Sequence, residues 1–158
     1  MKEELKIDLQ TAIRLNKDCP EWFKPILQET FGKKLTGNII NCIKTFEDAY
    51  AEADEATKKE FDVQIHPNLS DHIVARLKLI LIASVLREDW KPDFENRSQQ
   101  KWYPWFEFLA GSGFVFSGSS YGYDNAYTSV GSRLCFPTKE LSDYFGKQFI
   151  ELHREHLS

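Results

Sequence analysis

This chain of 158 residues has no long apolar run. Its longest, Leu77 to Leu86, is broken by Lys78 and Ser84 and reaches about half of the ~20 residues that a spanning helix needs. The opening residues, MKEELKIDLQ, hold no apolar stretch of the signal-peptide kind. Cysteine is scarce as well. Cys19, Cys42 and Cys135 are odd in number, widely spaced and without a CxxC pair. That pattern argues for reduced thiols and against a disulfide framework or a zinc site. Nor is there an excess of basic charge. A net charge of −4 gives no general attraction to phosphate backbones or anionic membranes. Together these absences predict a soluble, cytoplasmic chain with no membrane partner and no cofactor.

Familiar catalytic motifs are missing too. Gly111-Ser112-Gly113 with Gly118 is not followed by Gly-Lys-Ser/Thr or by a helix start, which excludes a P-loop; the misplaced third glycine excludes a dinucleotide fingerprint. His153 and His156 stand three apart near the C-terminus, with no third ligand at suitable spacing, and read as solvated helix residues. His66 and His72 read as structural. Cys135 beside Phe136 reads as a small apolar filler, because no histidine lies in the aromatic segment to activate it.

What the chain has in quantity is aromatic side chains in one place. Residues 102–132 carry ten aromatics and five of the eight glycines, against two charges, Glu107 and Asp124. The segment reads as aromatic strands joined by Gly/Ser turns, one turn at Gly111-Ser112-Gly113 and a second at Gly118-Ser119-Ser120. Alternation puts Trp102, Pro104, Phe106 and Phe108 on one face, and Tyr103, Trp105 and Glu107 on the other. A closing strand over 130–136 divides likewise, with Val130, Leu134 and Phe136 opposed to Gly131, Arg133 and Cys135. The first set in each strand is the expected core face. On the second, Glu107 and Arg133 are expected to form a cross-strand pair. Pro104 has no N–H to donate, which marks an edge strand or one just beginning there.

The first 90 residues read as helical. Leu5, Leu9, Ala12 and Ile13 make one amphipathic stripe ending before Cys19-Pro20. Trp22, Phe23, Ile26, Leu27 and Phe31 make a second, with Gly32 as its left-handed terminator. Thr45 with Glu47 and Asp48 predicts a third helix start. Residues 54–68 are polar and predict a loop. Ser70 predicts the cap of the longest helix, over 71–86, apolar nearly all round and therefore central, with Ile73, Leu77, Ile80, Leu81 and Leu86 as its core stripe. Thr138 predicts the cap of a final helix with a Leu141, Phe145, Phe149 and Leu152 stripe. The expected fold class is α+β: a helical N-terminal half packed on a small antiparallel sheet of about three strands (102–136), with a C-terminal helix. The expected organisation is one domain over 1–158, helical to about 90, aromatic and β-rich over about 101–136, and helical again over about 138–157.

The blocks WKPDF (90–94), KWYPWF (101–106), GSGFVFS (111–117), VGSRLCF (130–136), KEL (139–141) and YFGKQF (144–149), with TFEDA (45–49), together resemble an uncharacterised family of small Bacteroidetes proteins associated with phage or mobile elements. That family often carries Trp where Phe94 stands, Tyr where Trp102 stands and a basic residue where Pro137 stands. The resemblance covers most of the chain from about residue 20. It implies a mobile-element setting in a bacterial cytosol and no particular activity or catalytic residue.

The functional expectation is a non-enzymatic binding module whose partner surface comprises Tyr103, Trp105, Glu107, Tyr121, Tyr123, Asp124 and Arg133. The partner would be a protein or a small planar ligand, since Tyr and Trp offer contact area at low entropy cost. A homo-oligomer through the 102–108 edge is compatible with the pattern. One alternative is a protein that binds or sequesters a nucleotide or single strand, for instance against a defence system. Acids interleaved with Lys91, Arg97, Lys101 and Arg133 make a single base a better fit there than a long polyanion. A small hydrolase using Asp124 or Glu107 is the other.

Overall fold

The computed structural model describes residues 7–32, 35, 37–123 and 132–158. Its contacts fall into two compact units, Met1–Ile43 and Lys44–Ser158. The architecture is α+β, with eight α-helices and a two-stranded antiparallel sheet among the described residues.

In the first unit, α1 (Leu9–Asp18) starts where the Asp8 carboxylate accepts from the Thr11 N–H at 2.9 Å. Helix α2 (Lys24–Phe31) carries Pro25 in its first turn and ends at Gly32, with φ 57°. Ala12, Leu27 and Leu35 form the small core, with Leu15, Phe23 and Phe31 packed against it. A single turn, α3 (Ile39–Cys42), follows, capped by Asn38.

The second unit opens with α4 (Phe46–Glu52). Thr45 and Asp48 cap it reciprocally: each side chain accepts the other's backbone N–H at 3.1 Å. The polar stretch expected to be a loop is instead helix α5 (Glu55–Gln64), with Asp54 accepting from the Thr57 N–H at 2.7 Å. One apolar residue suffices to dock it. Phe61 packs on Phe46 (ring centroids 5.2 Å) and Tyr50 (6.0 Å), and the Tyr50 hydroxyl donates to Asp62 at 2.9 Å.

Helix α6 (Asp71–Leu86) is the centre of this unit and packs against α4, α5 and the C-terminal helix α8 (Ile150–Leu157). Its buried set is Ala75, Leu79, Leu81, Ile82, Ala83 and Leu86, rotated from the expected stripe. Ile73 is exposed, and Leu77 and Ile80 are half-buried. Each fully covered Leu or Ile here contributes about 1.5–3 kcal/mol of transfer free energy.

The sheet is one hairpin, β1 (Lys101–Leu109) and β2 (Gly113–Gly122). The turn expected at Gly111-Ser112-Gly113 is present, with both glycines at positive φ. The second expected turn is not. Gly118, Ser119 and Ser120 lie within β2, and Trp105 opposes Gly118 while Phe106 opposes Phe116, leaving Ser117 as a bulge. A third strand does not form among the described residues. Ser132–Leu134 is a 3-10 turn, and Phe136 makes a single bridge to Trp102, through N–H···O bonds of 2.9 and 2.7 Å. Val130 and Gly131 lie outside the described residues.

Two helices replace the single one expected at the C-terminus. Helix α7 (Lys139–Gln148), capped by Thr138, lies against both strands. Phe149, with φ −110° and ψ 30°, then turns the chain into α8. Phe136, Phe145 and Phe149 are buried together, with Phe145 at 4.8 Å from Phe136 and 6.0 Å from Phe149.

Candidate functional site

The hairpin is longer than the helices that cover it. On the face expected to be core, Pro104 is buried, Trp102 and Phe106 are half-covered, and Phe108 stands 70% exposed. The phenyl rings still run as one continuous row: Phe106 stacks on Phe114 at 4.9 Å, and Phe108 meets Phe114 edge-on at 5.1 Å. On the opposite face Tyr103 is buried, while Trp105 is 46% exposed and Glu107 is exposed. Alternation assigned these residues to faces, but coverage changes along the strand and divides each face in two.

Trp105 stands between two hollows. The first, of about 320 Å³, is walled by Trp105, Phe106 and Phe108 of β1 and by His153, His156 and Leu157 of α8. The second, of about 430 Å³, is open and lies at the bulge, between Tyr103, Trp105 and residues 117–120 of β2.

The two histidines give the first hollow its polar character, and neither is the solvated residue expected. His153 is only 2% exposed, held between Phe106 (4.5 Å) and Phe145 (4.7 Å). Burial, followed by the neighbouring His156, pushes its pKa down to about 3, while a hydrogen bond with the Phe145 backbone works against them. The ring is therefore neutral, and its Nε2 is buried without a hydrogen-bond partner among the described residues. Arg76, which can only donate, gives a hydrogen bond to His156 Nε2 at 3.2 Å.

The other expected site residues do not gather here. Tyr121 (44% exposed) and Tyr123 (38%) sit at the base of the hairpin, where Tyr121 packs on Trp102 at 4.7 Å. The Tyr123 carbonyl accepts from Lys101 Nζ at 2.6 Å and its hydroxyl from Gln100 at 3.3 Å. The expected Glu107–Arg133 pair is absent. Glu107 opposes Val115, and Arg133, on the 3-10 turn, donates to Glu60 at 3.0 Å. Asp124 lies outside the described residues. Missed from the sequence were Phe108, His153, His156 and Leu157. His153 was legible in principle, since it falls four residues after Phe149 on the same helical stripe.

No protein-family model matches the chain, and no curated protein or solved structure shows significant similarity to it. Chemistry at the hollow is that of an aromatic cleft with the neutral His153 ring in its wall. Among the described residues no group of three His, Cys, Asp or Glu side chains could hold a metal. The Cys135 thiol, pushed up by burial against the pull of Arg87, stays protonated. No helix of the described residues is long and apolar enough to cross a membrane.

Proposed function

We propose that this chain is a binding module that captures a planar or aromatic group, from a small ligand or a partner's side chain, in the cleft beside Trp105. The observation that carries the reading is the grouping of Trp105, Phe108 and Leu157, each between 37% and 70% exposed, around one hollow. Large apolar side chains left in water at one place mark a contact surface more often than scattered ones do. The resemblance to phage- and mobile-element-associated proteins of Bacteroidetes supports a mobile-element setting in a bacterial cytosol for this module.

A thermal-shift and calorimetric screen with indole- and naphthalene-based compounds tests it. Trp105→Ala and Phe108→Ala are expected to weaken the best binder about tenfold or more, the loss typical of a buried aromatic anchor. Equal affinity in both variants, or no binder in the series, would sink the reading.

A further inference from the structure

A further, larger hollow in the second unit shares no lining residue with the aromatic cleft. It is a groove of about 580 Å³ between α5, α6 and the segment carrying Lys91, Pro92 and Phe94. Its floor is apolar: Phe61 from α5, with Leu77, Ile80 and Leu81 from α6. This explains why α6 is apolar nearly all round, since the half-buried Leu77 and Ile80 face the groove.

Three cations reach the same groove: Arg87, Lys91 and Arg133. One carboxylate accompanies them, Glu60, and it is already held by Arg133 at 3.0 Å. Arg87 is half-buried, and among the described residues no carboxylate lies within ion-pair distance of it. Its neighbours are the Cys135 thiol and the like-charged Arg133, and burial followed by that repulsion draws its pKa below the usual value. A desolvated guanidinium without a counter-charge is an unfavourable arrangement that a bound anion relieves. Guanidinium also suits planar, two-pronged recognition of carboxylate and phosphate.

We propose that this groove binds a small organic anion, its phosphate or carboxylate at Arg87 and Arg133 and its planar apolar body on the Phe61–Leu77–Ile80 floor. The volume is that of small-ligand sites, and the lining sets an apolar floor beside convergent polar and cationic groups.

Calorimetric titration of the full chain with adenosine monophosphate, adenosine, 2-naphthoate and inorganic phosphate tests this. The expected result is binding of one or both ring-bearing anions, with adenosine and inorganic phosphate at least about tenfold weaker, because each lacks one half of the recognition. Arg87→Met should abolish binding and leave the unliganded melting temperature unchanged or higher, and Trp105→Ala should leave the affinity within about twofold. Absence of binding by both ring-bearing anions, or unchanged affinity in Arg87→Met, overturns the proposal. Should Arg87→Met fail to fold, Arg133→Gln on the exposed rim decides, since unchanged affinity there overturns it equally. The aromatic-cleft reading survives or fails independently, as its variants lie on the hairpin.

Discussion

His153 shows how strongly surroundings decide the chemistry of a side chain. At a helix end near a terminus an imidazole is ordinarily hydrated and titrates near 6.5. Here two phenyl rings enclose it, and its proton affinity falls to about 3. The consequence for stability has a definite sign. Above pH 6.5 the ring is neutral in folded and unfolded chains alike. As the pH falls from 6.5 towards about 3, the unfolded chain binds a proton that the folded one refuses. Stability from this group should therefore drop by up to about 1.4 kcal/mol per pH unit across that window. Urea unfolding at several pH values should show that slope reduced in His153→Gln; a parallel profile for the two proteins would contradict the buried ring. Lys101 is the opposite case, a charged group that is buried yet fully answered. Only 2% exposed, it donates to the carbonyls of Asn96, Gln99 and Tyr123 at 3.2, 2.9 and 2.6 Å and lies over the Phe94 ring at 5.2 Å. Lys101→Met keeps the stem but orphans three acceptors, and should cost roughly 2–4 kcal/mol in denaturant unfolding. A loss below about 1 kcal/mol would mean that water replaces the ammonium there.

The hairpin and the helix beneath it meet through the smallest residue available. A Cβ on Gly146 of α7 would stand 2.6 Å from two ring carbons of Phe116 and 2.9 Å from the Pro104 Cβ. The Phe116 ring has some freedom to move, whereas the Pro104 ring cannot rotate away. A hydroxyl pair fastens the same contact, Ser119 donating to the buried Ser142 at 2.8 Å. In an unencumbered helix Gly→Ala gains up to about 1 kcal/mol. Gly146→Ala should instead destabilise by roughly 1–3 kcal/mol, the range for overpacking; a gain measured by chemical denaturation would show that α7 and the hairpin do not approach this closely. Helix α5 carries a complementary lesson. One aromatic, Phe61, docks it, and with Val63 exposed and Ala56 small no apolar stripe is left to read. Helix α6 fails in the other direction. Apolar residues all round it predict burial on every side, yet one side is the floor of an open groove.

Across the chain, local chemistry was legible wherever a few neighbouring residues settle it. The Thr45–Asp48 capping box, the Gly32 terminator, the Thr138 cap and the Gly111-Ser112-Gly113 turn each depend on backbone groups within four positions. The α+β class followed from those signals together with the aromatic window. Of the expected site, Trp105 is an exposed aromatic beside a hollow, Tyr121 and Tyr123 are separated from it along the strand, and Arg133 belongs to a different groove. Strand alternation says which face a side chain takes, and that depends on the backbone alone. What covers the face depends on where α7 and α8 end relative to the hairpin, which involves residues distant in the chain. For the same reason Phe108 looked like core and His153 like surface, and each is the reverse. The charge-poor aromatic window, the caps and the helix stripes are thus properties of the chain as written, because adjacent residues impose them. The cleft beside Trp105, the neutral His153 and the desolvated Arg87 arise only when distant segments close on one another, because desolvation is set by neighbours in space.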